Sequence, residues 1–213
     1  MMSRLFVVIP AAGHSRRMGE PKLLIDLGGK PIIVHLLETL QASSAVSRIV
    51  IVARSDDTNL LEVLEQHAHE RLTVITPTED PPEMRDSVEL ALAALDLWES
   101  PTWEDSWALL PADHPLITPE TFQKVCQAWK DSSAEIFIPT VNETGGHPTF
   151  FRWPVSEEVA KLSSDEGLNS IVRAFPSRVV HWPTDANELL FDLDTPEDLE
   201  RVRQWWSQRH MDE

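Results

Sequence analysis

Phosphate-handling residues gather in one short stretch. Pro10-Ala11-Ala12-Gly13-His14-Ser15-Arg16-Arg17-Met18-Gly19-Glu20-Pro21-Lys22 sets three cations, Arg16, Arg17 and Lys22, behind the small residues Ala11, Ala12 and Gly13. Small residues let another molecule approach the backbone. Backbone N–H groups with Arg and Lys at a strand end suit a polyphosphate. Two acidic positions complement this turn. Asp113, in Pro111-Ala112-Asp113-His114-Pro115, follows the apolar run Trp107 to Leu110. A carboxylate there can hold Mg²⁺, which takes hard oxygen ligands together with substrate phosphates, or it can cap a strand-end turn. Asp192 and Asp194 stand two apart, which in a strand puts both carboxylates on one face. Either can instead cap the helix that starts behind them. Gly146-His147-Pro148 combines close backbone approach with an imidazole, or it is a tight hairpin with its His toward solvent.

Two common phosphate motifs are excluded by spacing. Lys22 is followed by Leu23, not by Ser or Thr, and Gly13 and Gly19 lack the third glycine of a dinucleotide fingerprint. Cys126 is the one cysteine, so no disulfide framework exists within the chain, and this usage fits a reducing cytoplasm. Its helical context and lack of a nearby His–acid partner point to a packed thiol. No signal peptide and no membrane-length apolar run is visible. The formal charge of −17 argues against general nucleic-acid binding. A local basic turn and a divalent metal can still handle the phosphates of a nucleotide.

The elements that must position these residues follow a regular order. Leu5 to Ile9 reads as a buried strand leading into the basic turn. Gly28-Gly29 is a turn, Pro31 opens a helix through Leu40, and Arg48 to Ala53 is a second strand. A helix over Asn59 to His67, a strand over Leu72 to Ile75, a helix over Met84 to Trp98 and a strand over Trp107 to Leu110 continue the alternation. Thr118 and Pro119 start another helix, as N-cap and first helical residue. Beyond it lie strands at Ile136 to Pro139, Val179 to Trp182 and Leu189 to Leu193, and a short helix at Gly167 to Phe175. A final helix runs from Thr195-Pro196-Glu197-Asp198, a capping-box form, to about Trp206. Trp205-Trp206 packs that helix on the body or on a partner subunit. The pattern is a doubly wound α/β fold. At 213 residues, with no linker or repeat, residues 1–213 are expected to form a single domain.

The basic turn resembles the signature of the MobA-like nucleotidyltransferases, Ala-Ala-Gly-x-Ser-x-Arg-Met-Gly-x-x-Lys, and fills every fixed position: Ala11, Ala12, Gly13, Ser15, Arg17, Met18, Gly19 and Lys22. Pro111-Ala112-Asp113 resembles the family's second motif, and Asp192-Leu193-Asp194-Thr195-Pro196-Glu197-Asp198 its last. Gly146-His147-Pro148 resembles the acceptor-side turn of the molybdopterin cytidylyltransferase branch, and Met84-Arg85-Asp86-Ser87 a segment beside the nucleotide base. The expected glycine before Met84 is Glu83 here.

This resemblance, running from Phe6 to Leu199, implies a three-layer α/β/α domain with a Rossmann-like, mostly parallel sheet of the nucleotide-diphospho-sugar transferase type. It implies Mg²⁺-dependent (or Mn²⁺-dependent) transfer of a nucleoside monophosphate to a phosphorylated acceptor. Arg17, Lys22 and Asp113 are the expected catalytic residues. Ala11, Ala12, Gly13, Ser15, Ser87 and the same Arg17, Lys22 and Asp113 would bind the nucleotide, with Ser87 otherwise a helix-start serine. Asp113 and Asp194 would hold metal, with Asp192 close behind, and Gly146, His147, Pro148 and Arg173 would face the acceptor. The Ala-Ala-Gly opening points to CTP and molybdopterin, where the guanylyltransferases carry Ala-Gly-Gly. Ser15 and Pro21-Lys22-Leu23 count against the methylerythritol-phosphate cytidylyltransferases, and sugar-1-phosphate enzymes fit worse again. The other reading is a nucleotide-binding accessory protein with a molybdoenzyme client.

Overall fold

Strand β1 (Leu5–Pro10) is buried on both faces and divides its side chains between two cores. Leu5, Val7 and Ile9 point to one, and Phe6 and Val8 to the other, as the period of two requires. The computed structural model describes residues 3–210. β1 pairs in parallel with β4 (Val46–Val52) on one side and with β6 (Ser106–Leu109) on the other. β5 (Leu72–Ile75) extends the sheet beyond β4. On the far side of β6, β9 (Thr149–Arg152) runs antiparallel, then β7 (Ile136–Val141) and β10 (Val179–Pro183). The order is β10-β7-β9-β6-β1-β4-β5, with β8 (Thr144–Gly145) paired antiparallel to β7. A separate two-stranded ribbon joins β2 (Asp26–Leu27) to β3 (Lys30–Pro31).

Helices cover both faces. α1 (Ile32–Ala42), α2 (Thr58–Gln66) and α4 (Pro119–Asp131) pack on the side of Val7 and Ile9. α3 (Met84–Glu99), the short α5 (Ser156–Val159) and α6 (Asn169–Ala174) pack on the side of Phe6 and Val8. This is the expected three-layer, mostly parallel architecture. Thr118 caps α4 by accepting from Thr121 N, with Pro119 in the first helical position. Among the described residues, no helix is long and apolar enough to cross a membrane.

A third cluster stands outside the sheet. Leu199 and Val202 of the last helix, α7 (Pro196–His210), join Met18, Ile25, Leu27, Ile32, Leu116 and Leu193. The Trp206 indole lies against Gly28, where an added Cβ would be 2.5 Å from its Nε1, so this glycine is required by contact as well as by its φ of +64°. The expected capping box is present: Thr195 Oγ1 accepts from Asp198 N (3.3 Å), and the Asp198 carboxylate accepts from Thr195 N (2.8 Å). Trp206 thus packs the helix on the body, and the helix continues past it to His210.

The expected strand over Leu189 to Leu193 is absent. Asn187–Leu190 forms a 3₁₀ turn, and the chain then crosses the strand ends. The cause is a divided apolar run: Leu189 is buried in the first core and Leu193 in the third cluster, so the segment bridges two cores and pairs with no strand.

At the amino ends of the central strands β1 and β6, opposite these crossings, buried Asp105 accepts from Arg4 N (2.8 Å), Arg4 Nη2 (2.8 Å) and Thr102 N (2.7 Å). Burial pushes this carboxyl up, but the Arg4 guanidinium and the backbone donors outweigh it and bring it down to about 2. Its stabilisation is therefore present above the ordinary carboxyl value near 4 and lost as pH falls toward 2. Asp105→Asn should cost about 1–2 kcal/mol at pH 7, after discounting for screening, and flatten the loss between pH 4 and 2 in urea titrations at stepped pH. Burial also pushes the Cys126 thiol up to about 12. Native protein at pH 8 should resist iodoacetamide, and urea-unfolded protein should react fully, because the thiolate is the nucleophile.

Candidate active site

The turn after β1 is built to present its cations. Met18 N and Gly19 N both donate to Ser15 O (3.1 and 3.2 Å), with Ser15 itself at φ +50° and Gly19 at +73°. A non-glycine residue in the left-handed region is strained, and such residues cluster at functional sites. Ser15 Oγ accepts from Lys22 N (3.2 Å), folding the turn back on itself. Buried Met18 anchors it in the third cluster, leaving the preceding Arg16 and Arg17 exposed. A Cβ on Gly13 would meet nothing within 4 Å, so this backbone faces open space.

Lys22 is the meeting point. Its Nζ lies 2.6 Å from Asp113 Oδ2 and 2.9 Å from Asp194 Oδ1. Arg17 Nη2 is 3.0 Å from Asp194 Oδ2. Asp113 follows β6, and its Oδ1 pairs with His114 Nδ1 at 3.1 Å. Burial pushes the Asp113 carboxyl up, but His114 and the Lys22 ammonium outweigh it and hold it well below the carboxylate range. Burial likewise pulls the Lys22 amine down, and the Asp113 and Asp194 carboxylates more than reverse this. Asp113 and Lys22 are thus both charged at neutral pH. Leu193 N donates to Asp113 O (3.1 Å), which fixes the segment carrying Asp194 against the one carrying Asp113.

On one flank, Gly146 passes under Leu189. A Cβ there would sit 2.8 Å from Leu189 O, so no side chain fits. His147 N donates to Leu189 O (3.1 Å), and His147 Nδ1 lies 3.3 Å from Leu109 O. A carbonyl only accepts, so Nδ1 carries the proton. Desolvation, and then the neighbouring His114 ring at 5.0 Å, bring His147 down to about 3, so it is neutral at physiological pH. On the other flank lie buried Ser87 and the segment Asp80–Met84. Glu83, standing where a glycine is expected, precedes α3, and its N–H donates to Asp86 Oδ2 (2.9 Å).

These groups line one cleft of about 960 Å³ at the carboxyl ends of the parallel strands, the usual place for a ligand in such sheets. Ala11, Ala12, Gly13, Ser15, Arg17, Lys22, Ser87, Asp113, Gly146, His147, Asp192 and Asp194 all line it. Pro148 is buried behind the wall and is not among the lining residues. Arg173 is also not among them: it is exposed on α6, with Nη2 donating to Ser170 Oγ (3.1 Å). Asp192 is exposed and pairs with no cation among the described residues. With no strand at 189–193, the strand period that would put Asp192 and Asp194 on one face does not apply, although both line the cleft.

Sequence reasoning missed Arg54. It directly follows β4 and Ala53, and its Nη1 donates to Gly13 O (3.1 Å), tying the glycine-rich turn to the next strand. The strand-end rule that singled out Asp113 would have found it. His114 was passed over although it adjoins Asp113.

No three metal-ligating side chains converge among the described residues. Asp113 and Asp194 nonetheless offer two hard oxygen donors around one cation, Lys22, which fits a Mg²⁺ or Mn²⁺ ion that draws its other ligands from phosphate and water.

Over 92% of its length the chain is 25% identical to a probable molybdenum cofactor guanylyltransferase of Pyrococcus horikoshii, covering 97% of that protein. Over 137 residues, 63% of the chain, it is 33% identical to a 2-C-methyl-D-erythritol 4-phosphate cytidylyltransferase of Streptomyces avermitilis, and it spans about half (53%) of that relative's length. Its fold matches Rv0371c of Mycobacterium tuberculosis, solved in complex with manganese, with a TM-score of 0.73 at 19% identity, covering 96% of this chain and 100% of that one. Residues 7–180 match the model of the MobA-like NTP transferase domain, and the chain belongs to that family.

Proposed function

We propose that this nucleotidyltransferase moves CMP from CTP to a phosphorylated acceptor, with molybdopterin as the acceptor and Mg²⁺ as the metal. The observation that carries the reading is the pair Asp113 and Asp194 sharing Lys22, with Arg17 alongside, at the mouth of a glycine-rich turn. An acceptor phosphate oxygen forms a bond to the α-phosphorus, the bond from that phosphorus to the α,β-bridging oxygen breaks, and pyrophosphate leaves with the bonding pair. Such transfers ask for positioning and charge neutralisation more than covalent work. Arg17 and Lys22 neutralise the triphosphate and the leaving pyrophosphate. The open backbone at Gly13 lies against the phosphates, and Ser87 faces the base or ribose. Asp113 and Asp194 hold the metal, which when bound supplies positive charge to the reacting phosphates. Gly146 and His147 face the acceptor; neutral His147, protonated on Nδ1, presents Nε2 as a hydrogen-bond acceptor, which suits an N–H or O–H of a pterin better than a phosphate oxygen.

The Ala11-Ala12-Gly13 turn supports CTP, and the alignment along nearly the whole of a molybdenum cofactor enzyme supports the acceptor. The 33% identity to a methylerythritol-phosphate enzyme favours that acceptor as a second reading.

Thermal stabilisation by CTP, GTP, ATP and UTP with Mg²⁺ tests the nucleotide. At a hundred times its dissociation constant, CTP should add about 2.7 kcal/mol. Preference for GTP would move the reading to guanylyl transfer. With CTP and molybdopterin, Asp113→Asn should lower pyrophosphate release by about 10²-fold or more with the fold intact; undiminished release would overturn the metal assignment. Lys22→Ala removes the cation between two carboxylates. It should lower the melting temperature at low salt, and Mg²⁺ alone should then stabilise the variant more than the parent protein, because no ammonium competes for the acids.

A further inference from the structure

A carboxylate on a short side chain turns readily about its last torsion, whose wells are broad. Asp113 is held against that rotation at both oxygens. Oδ2 lies 2.6 Å from Lys22 Nζ, and Oδ1 lies 3.1 Å from His114 Nδ1. An ionised carboxylate only accepts, so Nδ1 carries the proton and donates it to the bond. Among the described residues, His114 is the one side chain that donates to Oδ1.

The two holds differ in what happens when a cation enters. A metal taken up by Asp113 and Asp194 competes with the Lys22 ammonium, because Nζ lies within hydrogen-bond distance of both acids. His114 sits on the other oxygen of Asp113 and does not compete. The ring is itself fixed. His114 is 4% exposed and meets the His147 ring edge to face, with centroids 5.0 Å apart and planes at 84°. His147 is tied in turn to Leu109 O through Nδ1 (3.3 Å) and to Leu189 O through its backbone N–H (3.1 Å). The backbone at Asp113 is fastened separately, by Leu193 N on Asp113 O. What the His114 side chain adds is the orientation of the carboxylate.

We infer that His114 is a positioning residue for nucleotidyl transfer: it occupies Asp113 Oδ1 and so leaves Oδ2 as the oxygen offered to the metal. The inference rests on the metal reading above and deepens it. A donor behind a metal-binding group fixes that group's orientation, and losing one commonly costs about 10–100-fold in metal affinity.

The test titrates Mn²⁺ into the protein at a fixed excess of CTP without acceptor. Binding is read by water-proton relaxation, which responds to ion held by the protein. Three variants separate the donor from the bulk of the ring. In His114→Asn the amide nitrogen falls at the δ position, where Nδ1 stands. In His114→Gln it falls one atom further out, and His114→Leu has no donor. His114→Gln and His114→Leu should each weaken Mn²⁺ binding about tenfold or more, whereas His114→Asn should stay within about threefold of the unmodified protein. Unweakened binding in whichever of the Gln and Leu variants keeps the parent melting temperature would overturn the inference alone, and so would an equal loss in His114→Asn. Asp113→Asn is the control and should bind the ion more weakly still. Mn²⁺ held as tightly by Asp113→Asn as by the parent, or not held by the parent, would overturn the metal reading and the inference with it.

Discussion

Two carboxylates held within hydrogen-bond distance of one ammonium set the terms for the rest of this molecule. Asp113 and Asp194 could not be left facing each other in a half-buried cleft without a cation between them, because like charges at that separation destabilise each other strongly. Lys22 supplies it, and in doing so joins three segments distant in sequence. Each segment is then fixed by a different force. Lys22 is set by the hydrogen bond of its N–H to Ser15, Asp113 by the end of a buried strand, and Asp194 by Leu193 and the capped start of α7. The charge cluster is small, and the apolar packing that aims it is large.

The sheet explains why these segments meet. β1 pairs in parallel with β4 and β6, so the turns that follow all three strands open on one edge. Alternate burial of β1 side chains in two cores leaves no freedom to slip by one residue, since that would exchange the two faces. The glycine-rich turn therefore emerges at a fixed height beside Asp113, and Arg54, at the end of the neighbouring strand, fastens it.

Much of this was legible in the chain. Strands such as Leu5–Ile9 and Leu72–Ile75 announce themselves as short branched apolar runs between turns, and the basic turn carries its own spacing. Asp113 and Asp194 stand out through the family motifs they complete, since by position alone each could equally cap a turn or a helix start. What stayed hidden depends on strand order. Arg54 meets Gly13 across 41 residues only because β4 lies beside β1. Leu189 to Leu193 reads as a strand because apolar content does not reveal that its two ends belong to different cores. Arg173 looked like an anion contact on a helix whose orientation no local pattern reports; the structure turns it toward Ser170.

The contact between Lys22 and Asp194 spans 172 residues of chain. Closing a loop of that length is among the last gains a folding chain can collect, because its entropy cost falls due before the contact forms. A partly folded chain can hold the sheet and the glycine-rich turn yet lack the second acid. The paired carboxylates thus serve as a completeness check: the groups proposed to hold the metal assemble only in a molecule whose first and last elements have already docked, so a misfolded intermediate has no paired acids with which to hold a metal against a triphosphate.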